Sequence, residues 1–180
     1  VRPRYIVPDY AKFMSEGSKF LQLDPPKDIY EAINSLLIFY KNVPSVTNYP
    51  VYLGNIDELL EPFMDDVDEA QAKKLFKLFF THIDRTVLDS FSHADIGPKA
   101  TRAGRLILEV ERELLDAVPN ITMKYDTDIT PDDFGIECVK TALKTAKPSF
   151  ANHKMFKKEL GENYVIASCY NGLLLGGGSY

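Results

Sequence analysis

An α/β fold is predicted for this chain: a helix-rich first part followed by a strand–helix–strand unit. Three observations predict it. Ile121-Thr122-Met123-Lys124-Tyr125 alternates apolar and polar residues as a strand does. Thr130-Pro131-Asp132-Asp133 opens a helix, with a Thr cap, proline at the first position and carboxylates at the positive end of the dipole. Tyr164-Val165-Ile166-Ala167-Ser168 is an apolar run suited to a strand covered on both faces, ending at Cys169. The pattern therefore predicts strand 164–169 parallel to strand 121–125, joined by helix 130–146 and a short helix around 152–160.

The earlier elements follow in order. Pro8 to about Leu21 reads as a helix interrupted by Gly17. Asp24-Pro25-Pro26 supplies an N-cap and first-turn prolines for a helix carrying Ile29, Ile33, Leu36, Leu37 and Tyr40, which Pro44 stops. Val51-Tyr52-Leu53 is a short strand ending at Gly54, and Asn55 with Glu58 forms a capping box for the next helix. Asp68 to Phe91 is a long amphipathic helix with Phe76, Phe79, Phe80 and Ile83 on its apolar face. Residues 92–98 read as a polar loop before a helix from about Ala100 to Ala117, on which Arg105 and Glu109 face each other at i, i+4. The helix after Thr130 carries Phe134, Cys138, Val139, Ala142, Leu143 and Ala146 as its apolar stripe, so Cys138 reads as core. These elements make one domain, mostly helical over 1–118 and βαβ over 119–180.

Composition narrows the function classes. The 180 residues are 45% hydrophobic and 26% charged, ordinary for a globular domain with one sizeable core. Net charge is −5 and no basic run stands out, so a nucleic-acid footprint is not expected. No apolar stretch is long enough to span a bilayer, and no signal-peptide pattern opens the chain. Cys138 and Cys169 stand alone without Cys-x-x-Cys spacing, which fits a reducing cytoplasm better than a disulfide framework or zinc ribbon. The chain starts at Val1 without methionine and ends within a glycine-rich stretch, so a fragment of a longer enzyme is expected.

Cys169 is the leading candidate for chemistry. A thiol at the carboxyl end of a buried strand, entering a glycine-rich loop, stands where α/β folds keep their reactive groups. Spacing alone also allows a packed structural cysteine, the commoner fate of a free thiol. A hydrolytic Cys169 needs a histidine base, and His153, the nearest in sequence, lies before the strand. His82-Ile83-Asp84 and His93-Ala94-Asp95 repeat a His-x-Asp pattern that matches no usual metal-ligand spacing. No metal is expected, and His93 and Asp95 are retained as substrate-loop candidates. Gly176-Gly177-Gly178-Ser179 can form an anion-binding nest of amides, which makes Gly177 a substrate-binding candidate, or simply a flexible turn.

Several motifs carry a resemblance. Pro119 to Tyr125, Thr130-Pro131-Asp132-Asp133, Lys147-Pro148-Ser149-Phe150-Ala151-Asn152 and the strand ending in Cys169 resemble the central barrel of glycyl radical enzymes, where a strand, a helix and a Pro-x-x-x-Asn turn lead to a cysteine at the tip of a finger loop. Arg4 to Tyr10, Pro44-Ser45-Val46-Thr47, Pro50 to Gly54, Ala94 to Pro98 and Ser168-Cys169-Tyr170-Asn171-Gly172 resemble the YjjI-type branch. The resemblance covers essentially the whole chain. It implies a partial (β/α) barrel and a bacterial, anaerobic enzyme in which a thiyl radical on Cys169 abstracts hydrogen from a small organic substrate, with Tyr170 and Asn171 beside it. No cofactor is expected in this piece. The glycyl radical would lie in a C-terminal part absent here, installed by an activase that uses S-adenosylmethionine and an iron–sulfur cluster. The expected partners are that activating enzyme and a small-molecule substrate, with neither nucleic acid nor membrane. The open sheet edge of half a barrel predicts self-association or a homo-oligomer.

Departures from related branches limit the chemistry. Diol and glycerol dehydratases place a glutamate base two residues after the cysteine, where this chain has Asn171, which cannot accept a proton. Pyruvate formate-lyase has two adjacent cysteines, and Tyr170 replaces the second. A glycine-rich stretch after the cysteine is more like anaerobic ribonucleotide reductase, giving a nucleotide or sugar-phosphate substrate as the alternative; a cysteine hydrolase or a non-catalytic binding module is the alternative of another class.

Overall fold

Consecutive parallel strands organise the molecule. The computed structural model describes residues 7–46, 51–86, 92–116, 119–162, 164–167 and 171–174. Its elements are α1 (Tyr10–Glu16), α2 (Ile29–Val46), β1 (Val51–Asn55), α3 (Ile56–Leu60), a 3-10 turn (Glu61–Phe63), α4 (Glu69–Thr86), β2 (Ser92–Ile96), α5 (Arg102–Leu114), β3 (Asn120–Tyr125), α6 (Asp132–Thr145), β4 (Ser149–Asn152), α7 (His153–Leu160), β5 (Tyr164–Ala167) and β6 (Asn171–Leu174). β1 to β4 form a four-stranded sheet in sequence order, each pair parallel, and β5 pairs antiparallel with β6 in a separate hairpin. The described residues thus form an α/β fold with an open parallel sheet.

Sequential order has a consequence for layering. Crossovers between parallel neighbours are right-handed in nearly all cases, so an order without reversals puts every connecting helix on one face. The buried cluster agrees: Leu53, Ala94, Ile96, Ile121 and Met123 from the strands pack with Leu36, Tyr40, Phe76, Phe80, Ile107, Val110 and Phe134 from the helices. Each such side chain contributes about 1.5–3 kcal/mol on burial, whereas exposed ion pairs such as Lys73–Glu109 between α4 and α5 contribute about 0–1 kcal/mol. The helix-facing core therefore dominates.

A buried carboxylate joins the top of the sheet to two helices. Asp57 accepts from the Gly97 amide at 3.0 Å, the Thr101 hydroxyl at 3.1 Å and the Glu58 amide at 2.8 Å. Gly97 sits at φ +77°, and a Cβ there would lie 2.7 Å from Met123 Sδ, so only glycine fits this close turn.

Several expectations are corrected. Strand 164–169 is not the partner of strand 121–125: β3 pairs with β2 and β4, and residues 164–167 of the apolar run belong to the antiparallel hairpin. The βαβ unit is thus β3–α6–β4, and the segment expected to hold a Pro-x-x-x-Asn turn supplies its second strand. Residues 92–96 are not a polar loop but strand β2, in the middle of the sheet and buried along its whole length. The Asp95 and His93 polarity hid that strand, because such residues rarely occupy a sheet centre. Asp28, not Asp24, caps α2 by accepting from the Glu31 amide at 2.8 Å, and the helix continues through Pro44. Asn55 makes no capping bond; its Nδ2 donates to the Gly97 carbonyl at 2.9 Å. Thr130 likewise caps nothing, donating instead to the Pro98 carbonyl at 2.8 Å. Arg105 reaches across to Asp133 at 2.6 Å instead of pairing with Glu109. On α6, Phe134 and Cys138 are buried as expected, but Val139 and Leu143 are exposed.

One prediction concerns a buried ion pair at the lower end of the sheet. Lys147 Nζ lies 2.5 Å from Glu111 Oε2 on α5 and also donates to the Asp116 and Pro119 carbonyls. Lys147→Met leaves the Glu111 charge buried without its partner and should cost about 3–5 kcal/mol, much of it recovered by adding Glu111→Leu. Urea unfolding of the three variants in the full-length protein checks this; a double variant no more stable than Lys147→Met would refute it.

Candidate functional site

The helix-free face of the sheet is polar yet buried. Side chains alternate along a strand, and the register sets Tyr52 opposite His93 and Asp95 opposite Thr122. Tyr52, His93, Asp95, Thr122 and Lys124 therefore share one face, and all five are buried. Gly54, at φ +82°, lies where the β1–β2 register shifts between Tyr52 and Asn55.

The hairpin strand β5 covers this face. The Ile166 amide donates to Asp95 Oδ2 at 2.9 Å, and Lys124 Nζ donates to the Tyr164 carbonyl at 3.1 Å. The Tyr52 hydroxyl donates to the same Asp95 oxygen at 2.7 Å, and Lys124 Nζ lies 3.5 Å from it. Tyr164 is fixed at its other end: its hydroxyl meets His153 Nδ1 at 2.6 Å, its ring stacks on Phe156, and Lys124 Nζ lies 4.7 Å from the ring centroid. Ala151, Tyr164 and Ile166 form a second, small apolar cluster on this side.

Electrostatics follow from burial. Asp95 Oδ1 is buried and meets no donor among the described residues. Desolvation accordingly pushes the Asp95 carboxyl up to about 6, even though Lys124, the Ile166 amide and Tyr52 all favour its charge. Burial raises the Tyr52 phenol well above its ordinary range, with the Asp95 charge adding to it. Desolvation lowers His93 to about 4 and lowers His153 as well, so both imidazoles are neutral near pH 7.

The structure assigns the expected site residues to different places. His93 and Asp95 lie on β2, not on a loop, and point to the same buried face. Asp95 touches the hairpin directly. Asn171 is the first residue of β6 and pairs with Ala167. Cys169, Tyr170 and Gly177 lie outside the described residues, Cys169 and Tyr170 falling in the three-residue link between β5 and β6. Tyr52, Lys124 and Tyr164 were missed as site residues. Their signal was present: Tyr52 and Lys124 interrupt apolar strand patterns at the positions that share a face with His93 and Asp95. Among the described residues, no group of three or more His, Cys, Asp or Glu is placed to hold a metal ion, and no helix is long and apolar enough to cross a membrane.

A sheet wound on one side, greasy toward its helices and polar toward a hairpin with a cysteine in its link, defines an α/β protein that keeps polar groups in a covered interior. Comparison with known proteins specifies which. The family model described as "Glycyl radical enzyme YjjI-like" matches residues 1–180, and the chain belongs to that family. An uncharacterized protein of Haemophilus influenzae is 50% identical over 179 residues, covering 99% of this chain and 34% of its own length. The uncharacterized protein YjjI of Escherichia coli is 43% identical over 178 residues, covering 98% of this chain and 34% of its own. The chain thus spans about a third of the length of these curated relatives.

The raised Asp95 pKa yields a pH prediction. Between its ordinary 3.8 and about 6 the folded state holds a proton that the unfolded chain has released. This group's contribution to stability therefore falls as pH rises through that window and is level above it. Asp95→Asn should remove that component. Denaturation midpoints of wild type and variant across the window check it; parallel profiles would contradict the assignment.

Proposed function

We propose that this chain is part of a cytoplasmic glycyl radical enzyme in which Cys169 carries the thiyl radical that abstracts hydrogen from a small organic substrate. The observation that carries this reading is the position of Cys169 in sequence between two paired strands whose hairpin rests on the buried polar face of the sheet. Family membership supports it. In this proposal the four strands are an arc of the family's barrel, the polar face looks into the barrel, and the hairpin is the finger.

The chemistry needs little from the protein beyond placement and exclusion of water. A glycyl radical elsewhere in the full-length protein, made by an S-adenosylmethionine-dependent iron–sulfur activase, supplies the oxidising equivalent. Cys169 gives up its thiol hydrogen atom, the S–H bond breaking as a C–H bond forms at that glycine. The resulting thiyl then takes a hydrogen atom from a substrate carbon, reforming S–H and leaving the radical on substrate. The S–H bond is weak enough for both transfers to be reversible, which an O–H bond is not. Asn171, opening β6, is proposed to orient substrate through its amide, and Tyr170 to lie beside the thiol. Asn171 cannot serve as a base, which argues against water elimination by the dehydratase route.

The test is a pair of variants in the anaerobically activated full-length enzyme, assayed on a substrate found by screening the activated wild type. Cys169→Ser should abolish turnover while the glycyl radical signal in electron paramagnetic resonance persists. Asn171→Ala should only weaken turnover, by the equivalent of about 1–3 kcal/mol for one lost hydrogen-bonding group. Wild-type turnover by Cys169→Ser would rule out this role for the thiol.

A further inference from the structure

Strand β5 has two edges, and one of them is satisfied in an unusual way. Its first edge pairs with β6. On a strand, the carbonyl of residue i and the amide of residue i+2 point to the same side, and in a parallel sheet one residue of the neighbouring strand would bond both. The Tyr164 carbonyl and the Ile166 amide are such a pair. Here two side chains of the main sheet take the place of that neighbour: Lys124 Nζ donates to the carbonyl at 3.1 Å, and Asp95 Oδ2 accepts from the amide at 2.9 Å. The two belong to adjacent strands, β3 and β2, and lie 3.5 Å apart, while Tyr52 on β1 donates to the same carboxylate oxygen at 2.7 Å. Side chains of two strands thus hold two backbone groups, and a third strand steadies the carboxylate.

We infer that Asp95 and Lys124, steadied by Tyr52, are positioning residues that clamp the β5–β6 hairpin onto the sheet in a single register. The clamp has polarity, because its cation must meet a carbonyl and its anion an amide. Sliding β5 by one residue turns the backbone groups of Val165 toward the clamp from the wrong side and flips Tyr164 and Ile166 out of their cluster. Both charges would then be buried without their partners, the costly outcome for a buried pair. The clamp therefore excludes the neighbouring register as well as favouring the observed one. Its importance for catalysis rests on the proposed role of Cys169, which follows β5 in sequence. The clamp itself does not depend on that role.

Hydrogen–deuterium exchange of the unactivated full-length protein tests the clamp separately from any radical chemistry. Asp95→Ala and Lys124→Met should speed exchange across 164–167 by about tenfold or more. Asp95→Asn keeps an acceptor for the Ile166 amide but leaves the Lys124 charge without its counter-ion, and should exchange at a rate between wild type and Asp95→Ala. Glu111→Gln, which weakens the buried pair under the opposite layer, should leave 164–167 unchanged. Should Asp95→Ala fail to fold, Lys124→Met and Asp95→Asn decide the matter. Wild-type exchange in Lys124→Met, or an equal rise in Glu111→Gln, overturns the inference. Because none of these readings needs substrate or radical, a failed Cys169→Ser experiment would leave the clamp standing, and a failed clamp would leave the thiol's role untouched.

Discussion

Much of this structure depends on one buried carboxylate. Asp95 sits at the centre of a parallel sheet with no exposed surface, where an isolated charge would be untenable. Its Oδ2 is tolerated because Tyr52, Lys124 and the Ile166 amide converge on it from three directions. Each of those groups is itself committed by the bond. The tyrosine sets the inner side of β1, the lysine cannot leave β3's inner side, and the hairpin cannot lift without uncovering two charges. A local electrostatic necessity thereby becomes a constraint on three strands and a hairpin.

The two faces of the sheet solve different problems. Toward the helices, branched and aromatic side chains remove apolar area from water, and packing volume sets the geometry. Toward the hairpin, hydrogen bonds set it, since Tyr52, His93, Thr122 and Lys124 gain little by mere contact. Asp57 links the two regimes: buried beside Gly97 and Thr101, it ties the end of β2 to the starts of α3 and α5. Burial pushes its carboxyl up to about 7 against the pull of those donors, so its charge is an expense that the tight turn at Gly97 accepts.

How legible this was in the sequence differs by face. Helices with clear apolar periodicity, such as α4, and strand β3, with its alternation, were readable from residues alone. The class of the fold followed from them, and family membership from the short motifs. β2 was not readable as a strand because Ser92-His93-Ala94-Asp95-Ile96 alternates with polar residues that ordinarily face water. β4 was obscured by Pro148 and its brevity. The run 164–168 looked like a doubly covered parallel strand; the burial of Tyr164, Val165 and Ile166 was legible, but the strand's partner was not. Apolarity reports that a strand is covered, and says nothing of whether the cover is helix, sheet or a lysine–aspartate pair. Leu143, exposed on α6 despite its apolar neighbours, shows the same gap from the other side.

The electrical character of the hairpin's surroundings bears on which thiol chemistry they suit. An ionic cysteine nucleophile needs a nearby base or a concentration of positive charge to lower its pKa. Among the described residues around β5, the buried cation Lys124 is engaged by Asp95 and the Tyr164 carbonyl. His153 directs Nδ1 to the Tyr164 hydroxyl, and burial holds both His153 and His93 toward the neutral form. Cys138, the described thiol, shows what burial does: desolvation first, with the Glu137 and Asp57 charges adding to it, pushes it up to about 12 and holds it as an inert part of the core. Among the described residues, then, the polar face is arranged to neutralise charge rather than to project it. A hydrogen-atom transfer moves no net charge to or from sulfur and asks only for a fixed distance in a covered interior. Under the proposed role of Cys169, a clamp that trades its charge for register meets that demand.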